Sequence, residues 1–150
     1  DDAKVVHELM NNADIRIVSG GTTSQIVARE LGVEVKSSTE IYDKEVPPIA
    51  YIQGVDLVTE GVLTLSKTID RLKSLSKSLD SDIFKAKDGA SQMAKLLYSA
   101  SHIKLLVGRS LNIANAESSF QRDLELRLHV VGELEKILVK LGKIVTVEYY

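Results

Sequence analysis

Four nearly continuous apolar runs, at residues 15–19, 55–59, 103–107 and 144–148, punctuate a chain that otherwise alternates between helical patterns and polar connections. Strands covered on both faces look like this, because neither face meets water, whereas a half-exposed strand alternates. A weaker run at 33–36 predicts a short edge strand. Between the strands, apolar residues at three- and four-residue steps predict helices over 2–10, 23–31, 62–75, 90–100 and 124–141. In the last of these Leu124, Leu128, Val131, Leu134, Ile137 (or Leu138) and Leu141 form one face, and Gly142 supplies the stop. The order of elements predicts an α/β fold: a three-layer, doubly wound, mostly parallel sheet of about four to five strands, with helices on both faces and right-handed crossovers.

Two stretches fall outside this pattern. Residues 37–50 contain Pro47-Pro48, which force the chain before them into an extended form, and are expected to cover an edge or a pocket. Residues 108–123 are polar and aperiodic and read as a loop. The serine-rich segment 74–81 suits a helix end followed by a surface turn.

Composition narrows the classes. With 150 residues and 44% hydrophobic content, one domain suffices, burying roughly 70% of the surface of the unfolded chain. A formal charge of −2 offers no cationic excess for nucleic acid or an anionic membrane, and neither is expected as a partner. The absence of cysteine excludes disulfides, thiolate metal sites and cysteine nucleophiles. No apolar run approaches the roughly 20 residues of a membrane helix, and Asp1-Asp2 is unlike a secretory leader, so a cytoplasmic location is expected. The chain starts without Met and enters a helical pattern at once, as a C-terminal fragment of a longer protein would.

The candidate chemistry lies at the carboxyl ends of the predicted strands, where open parallel sheets bind ligands. After the first strand, Gly20, Gly21, Thr22 and Thr23 form a turn into a helix, a layout whose backbone amides and hydroxyls suit a phosphate or carboxylate. Glu60 and Gly61 follow the second long strand, and Gly108 and Arg109 the third. Arg109 could clamp an anion with its planar fork, and Glu60 could hold ribose hydroxyls, an amine or a metal ion. Each has a structural alternative. The Gly-Gly turn can be a tight connection only, Glu60 can favour its own helix start with Thr59 as cap, and Arg109 can pair with Glu60 or a loop carboxylate.

Neither the P-loop nor the Rossmann fingerprint is matched, since no Lys follows the glycines and Gly-x-Gly-x-x-Gly is absent. His7, His102 and His129 are scattered without metal-ligand spacing. No catalytic residue and no metal ligand is assigned, and the sequence names no cofactor.

The run Gly20-Gly21-Thr22-Thr23-Ser24-Gln25-Ile26-Val27-Ala28-Arg29-Glu30-Leu31-Gly32 resembles the C-terminal region of clostridial-type stage II sporulation protein E-like serine/threonine phosphatases. Pro47-Pro48-Ile49, residues 54–65, Val107-Gly108-Arg109 and the ending Val145-Thr146-Val147-Glu148-Tyr149-Tyr150 resemble that family in the same order, so the likeness covers nearly the whole chain. Residues 110–120 depart from the family's pattern, which carries a proline and a histidine there. The matching segment follows the phosphatase module, so the resemblance implies an attached, metal-dependent phosphatase.

The functional expectation is therefore a non-catalytic regulatory or docking domain of such a phosphatase, binding a small anionic ligand such as phosphate, a nucleotide or a phosphorylated metabolite. It would act in signalling, and a homodimer is a further possible assembly. One alternative is an enzyme acting on such a ligand, with Glu60 as acid or base and Gly20 to Thr23 as oxyanion site. Another is a purely structural dimerisation domain.

Overall fold

The computed structural model describes residues 1–109 and 117–150. Helix α1 (Asp2–Asn11) leads into β1 (Ile17–Ser19), α2 (Gly21–Leu31) and the short β2 (Lys36–Ser37). Strands β3 (Ala50–Tyr51) and β4 (Leu57–Thr59) precede three helices, α3 (Val62–Lys77), α4 (Ser81–Lys85) and α5 (Gly89–Ser99). Strand β5 (His102–Val107), α6 (Glu117–Lys140) and β6 (Ile144–Tyr149) complete the chain.

The α/β class holds, and the predicted single, mostly parallel sheet is corrected. The strands form two ladders: a four-stranded one in the order β1-β4-β3-β2 and a two-stranded one, β5-β6. In the first, only β1 and β4 are parallel, while β3 pairs antiparallel with both β4 and β2. The cause lies in the connection at 37–50. Ser38 N–H donates to the Ile49 carbonyl at 2.9 Å, so this segment leaves β2 and returns beside it as β3. No crossover helix intervenes, and without one a returning strand runs antiparallel. The loop expected over 108–123 is also shortened: α6 takes in residues from Glu117 onward, and 110–116 lie outside the described residues.

Alternate residues of the first ladder serve two cores, as a period of two requires. Ile17 and Leu57 join a cluster with Leu72 of α3, Met93 and Leu97 of α5, and Leu134 and Leu138 of α6. Val18 and Val58 face a second cluster with Val6 of α1 and Val27 and Ala28 of α2. Ile103 and Val145, from the other ladder, belong to the first cluster, so both ladders share one core.

Polar groups tie α1 to the second ladder as well. Lys104 Nζ lies 2.5 Å from Glu8 Oε1 and 2.9 Å from Glu148 Oε1. Hydrogen bonds from Lys104, and then from Asn12 and Tyr150 respectively, hold the Glu8 and Glu148 carboxyls below their usual range, and the two carboxylates raise Lys104. Depressed carboxylates contribute stability that is present above the unfolded value near pH 4.3 and lost as pH falls through the folded one. The lysine's contribution is present below its unfolded value near 10.4 and lost only as pH rises through a higher folded value. The melting temperature should thus fall on acidification below about pH 4. Lys104→Gln should flatten that fall, and added salt should shrink the difference, because the groups are exposed. Equal acid profiles for the variant and the parent at low salt would refute the assignment.

Candidate anion-binding site

Gly20 is where β1 becomes α2. Its φ of 110° and ψ of 142° belong to a region that residues with a Cβ rarely enter, so glycine is required here for the turn itself. Its N–H extends the ladder by donating to the Thr59 carbonyl at 2.9 Å, and its carbonyl accepts from Ser24 N–H at 2.9 Å. Gly21 opens the helix, and a Cβ there would meet nothing within 4 Å. Ser24 Oγ is spent inside the turn, donating to the Gly21 carbonyl at 2.8 Å.

Because β1 and β4 are parallel neighbours, in register at Ser19 and Thr59, the helices that follow them start on the same edge. A Cβ on Gly61, the N-cap of α3, would stand 3.6 Å from the Gly20 Cα, and Ser19 Oγ donates to the Glu60 carbonyl at 3.3 Å. The structure therefore brings Gly20, Gly21, Glu60 and Gly61 together, with exposed Thr22 and Thr23 on the first turn of α2. Thr59 does not cap α3. That N-cap is Gly61, without a side-chain bond, and the buried Thr59 Oγ1 has no hydrogen-bond partner.

The contrast with the other helices is informative. Helices α1, α4 and α5 are each capped by an aspartate, Asp1, Asp80 and Asp88, whose carboxylate accepts a first-turn N–H. Helices α2 and α3 begin with glycine caps and no side-chain acceptor. The start of α5 packs behind the same edge: a Cβ on Gly89 would come within 2.9 Å of Ile49 Cγ2 and 3.3 Å of Thr59 Cγ2. Three helix starts thus gather around the end of β4, and the only carboxylate cap among them belongs to α5.

No family model, curated protein or solved structure matches the chain.

Gly108 and Arg109 stand at the end of the second ladder. Arg109 N–H donates to the Tyr150 carbonyl at 2.9 Å, and its guanidinium lies 5.9 Å from the centre of the Tyr149 ring. Arg127 Nη1 donates to the Gly108 carbonyl at 2.8 Å. Among the described residues no ion pair joins Arg109 to Glu60, and no carboxylate holds Arg109. Asp56 lies at the opposite end of β4 from the glycine edge, where its Oδ2 accepts from Arg16 N–H at 2.7 Å. Among the described residues no group of three or more His, Asp or Glu side chains is placed to hold a metal ion. No described helix is long and apolar enough to cross a membrane.

A second polar cluster escaped the sequence reading. Arg71 of α3 donates from Nε to Ser91 Oγ at 2.8 Å and from Nη2 to Asp43 Oδ2 at 3.1 Å, with Asp88 Oδ2 at 3.4 Å. It fastens the 37–50 connection and the start of α5 to one helix. The sequence signal was present in Asp88-Gly-Ala-Ser91, an acidic cap three residues before a hydroxyl at the start of an apolar helical run.

Proposed function

We propose that the chain is a regulatory or docking domain of a stage II sporulation protein E-like phosphatase, working in the cytoplasm and binding a small anion at the glycine edge. The observation that carries the binding site is the pair of adjacent, glycine-started helices, α2 and α3, whose first-turn amides have no side-chain acceptor in a protein that caps three other helices with aspartate. Unsatisfied amides and the positive helix end favour an anion there.

Gly20 to Thr23 and Gly61 would supply the donors, and Glu60 would select ligands with a hydroxyl or amine beside the anionic group. We further infer a three-layer arrangement in which Gly108 and Arg109, at the end of the second ladder, contribute to the same site. Arg109 would then clamp the anion, its guanidinium being free of carboxylate partners among the described residues. The phosphatase connection rests on the likeness of the glycine run and the segments that follow it.

The test is a thermal shift with inorganic phosphate and with nucleotides. Saturation to about a hundred times the dissociation constant should stabilise the fold by about 2.7 kcal/mol. Gly21→Ala should leave the free protein as stable or more stable by about 0.4–1 kcal/mol, since the helix accepts alanine there, yet weaken the shift by filling the space a bound anion would occupy. Arg109→Ala should reduce the shift with little change in the free melting temperature. No shift with any anion, or an undiminished shift in Gly21→Ala, would sink the proposal.

A further inference from the structure

Four lysines converge on a groove between α3 and α6. Lys73 and Lys77 of α3 and Lys136 and Lys140 of α6 line it together with Ser76, Glu133 and Ile137, around a volume of about 240 Å³. The sixteen residues of α3, rising about 1.5 Å each, separate this end of the helix from the glycine edge by about 20 Å, so the groove is a different place.

The arrangement is costly in electrostatic terms. On each helix the two lysines stand four residues apart, where like charges are neighbours and destabilise. The two helices then set these pairs against each other, in a protein whose formal charge is −2. One carboxylate enters the groove, Glu133, at 3.5 Å from Lys136 Nζ. Lys73, Lys77 and Lys140 have no ion pair among the described residues. The helix dipole accounts for Lys77 and Lys140, which occupy the last turns of α3 and α6. Glu133 offsets Lys136, and Lys73, one turn before Lys77, remains unexplained.

We propose that this groove binds an oligophosphate, a compact linear anion of three or more adjoining phosphate groups. Ammonium groups are point charges suited to phosphate oxygens rather than to the paired geometry of planar carboxylates. Four of them along two helices match a row of charges better than a single one. The volume lies below the roughly 300–1,000 Å³ of sites for drug-sized ligands, which favours a compact ligand. The buried Ile137 forms an apolar floor between the charged walls.

Isothermal titration of the protein with inorganic tripolyphosphate tests this. Saturable binding is expected at low salt, weakening as salt rises. The double variant Lys73→Gln, Lys136→Gln should lose about tenfold or more in affinity, while the corresponding Lys→Arg pair should retain it. In Gly21→Ala, where the glycine edge is impaired, tripolyphosphate should bind as it does to the parent and orthophosphate far more weakly, which separates this groove from the glycine edge. The Gln variant should melt no lower than the parent, because like-charge neighbours are removed. The proposal is overturned by absence of saturable binding at low salt, by tripolyphosphate affinity unchanged in the Gln variant, by orthophosphate binding Gly21→Ala as tightly as tripolyphosphate does, or by polyglutamate binding more tightly than tripolyphosphate.

Discussion

Asp88→Ala is expected to destabilise the protein by about 3 kcal/mol, the larger part of it from a broken ion pair that is mostly out of water. Asp88 is only 6% exposed. Its Oδ2 accepts from Ser91 N–H at 3.0 Å and its Oδ1 from Ser91 Oγ at 2.7 Å, so alanine removes the cap of α5 outright. A lost cap costs about 1 kcal/mol. The rest follows from Arg71, whose side chain is 18% exposed and would keep Asp43 as its one carboxylate partner among the described residues. That residual partner holds the figure at the low end for a broken buried pair. Asp88→Asn keeps a cap but loses the charge, and should cost about half as much. Urea unfolding of both variants gives the comparison, and a loss under about 1 kcal/mol for alanine would mean that the cluster behaves as a surface pair. Removing the guanidinium too, as Arg71→Met in the Asp88→Ala background, should recover part of the loss, because no buried charge then lacks its partner.

That cluster marks where sequence reasoning reached its limit. Strands β1 and β4, the Gly20 turn and the stop at Gly142 were legible, because each is a local pattern with a local cause: an apolar run, or a glycine at positive φ. The predicted runs began earlier than the strands, at 15 and 55 against Ile17 and Leu57. In each case the apolar pattern continues into the turn before the strand, where Asp56 binds the Arg16 amide. Strand β3 was not legible, since Ala50–Tyr51 is two residues long and follows two prolines. Its place is set by Val46 and Ile49 being buried from within the connection, a tertiary fact with no period to announce it. The edge strand expected at 33–36 forms instead at Lys36–Ser37, because pairing with β3, rather than its own apolar content, selects the register.

The candidate site divides along the same line. Gly20, Gly21 and Gly61 could be read as a possible anion cradle because backbone geometry at a strand-to-helix turn is encoded locally. What gives them weight is comparative and visible only in three dimensions: two uncapped helix starts lie side by side while Asp88 serves the third. Arg71, Asp43 and Asp88 are separated by up to 45 positions in sequence. Their meeting depends on α3 and α5 packing together, which no residue pattern states.

Leu138→Ala should be among the most damaging of the single core truncations, at about 3–4 kcal/mol, within the range for a fully buried leucine that leaves a cavity. Leu138 is 0% exposed and belongs to the cluster in which α3, α5 and α6 meet residues of both ladders. Its neighbours are held by two sheets and three helices, so collapse around the lost volume is restricted, and the cost lies well above the transfer term alone. The position also tests whether the two ladders form one cooperative unit. Ile17 and Leu57 from one ladder and Ile103 and Val145 from the other line the same cluster. Loosening α6 should therefore lower amide-exchange protection in β4 and in β5 by similar amounts, and denaturant unfolding should remain a single transition. If protection falls in β5 and β6 while β1 and β4 keep theirs, the ladders are separate folding units. The glycine edge would then rest on the first ladder alone, and Arg109 could not be fixed against it by a shared core.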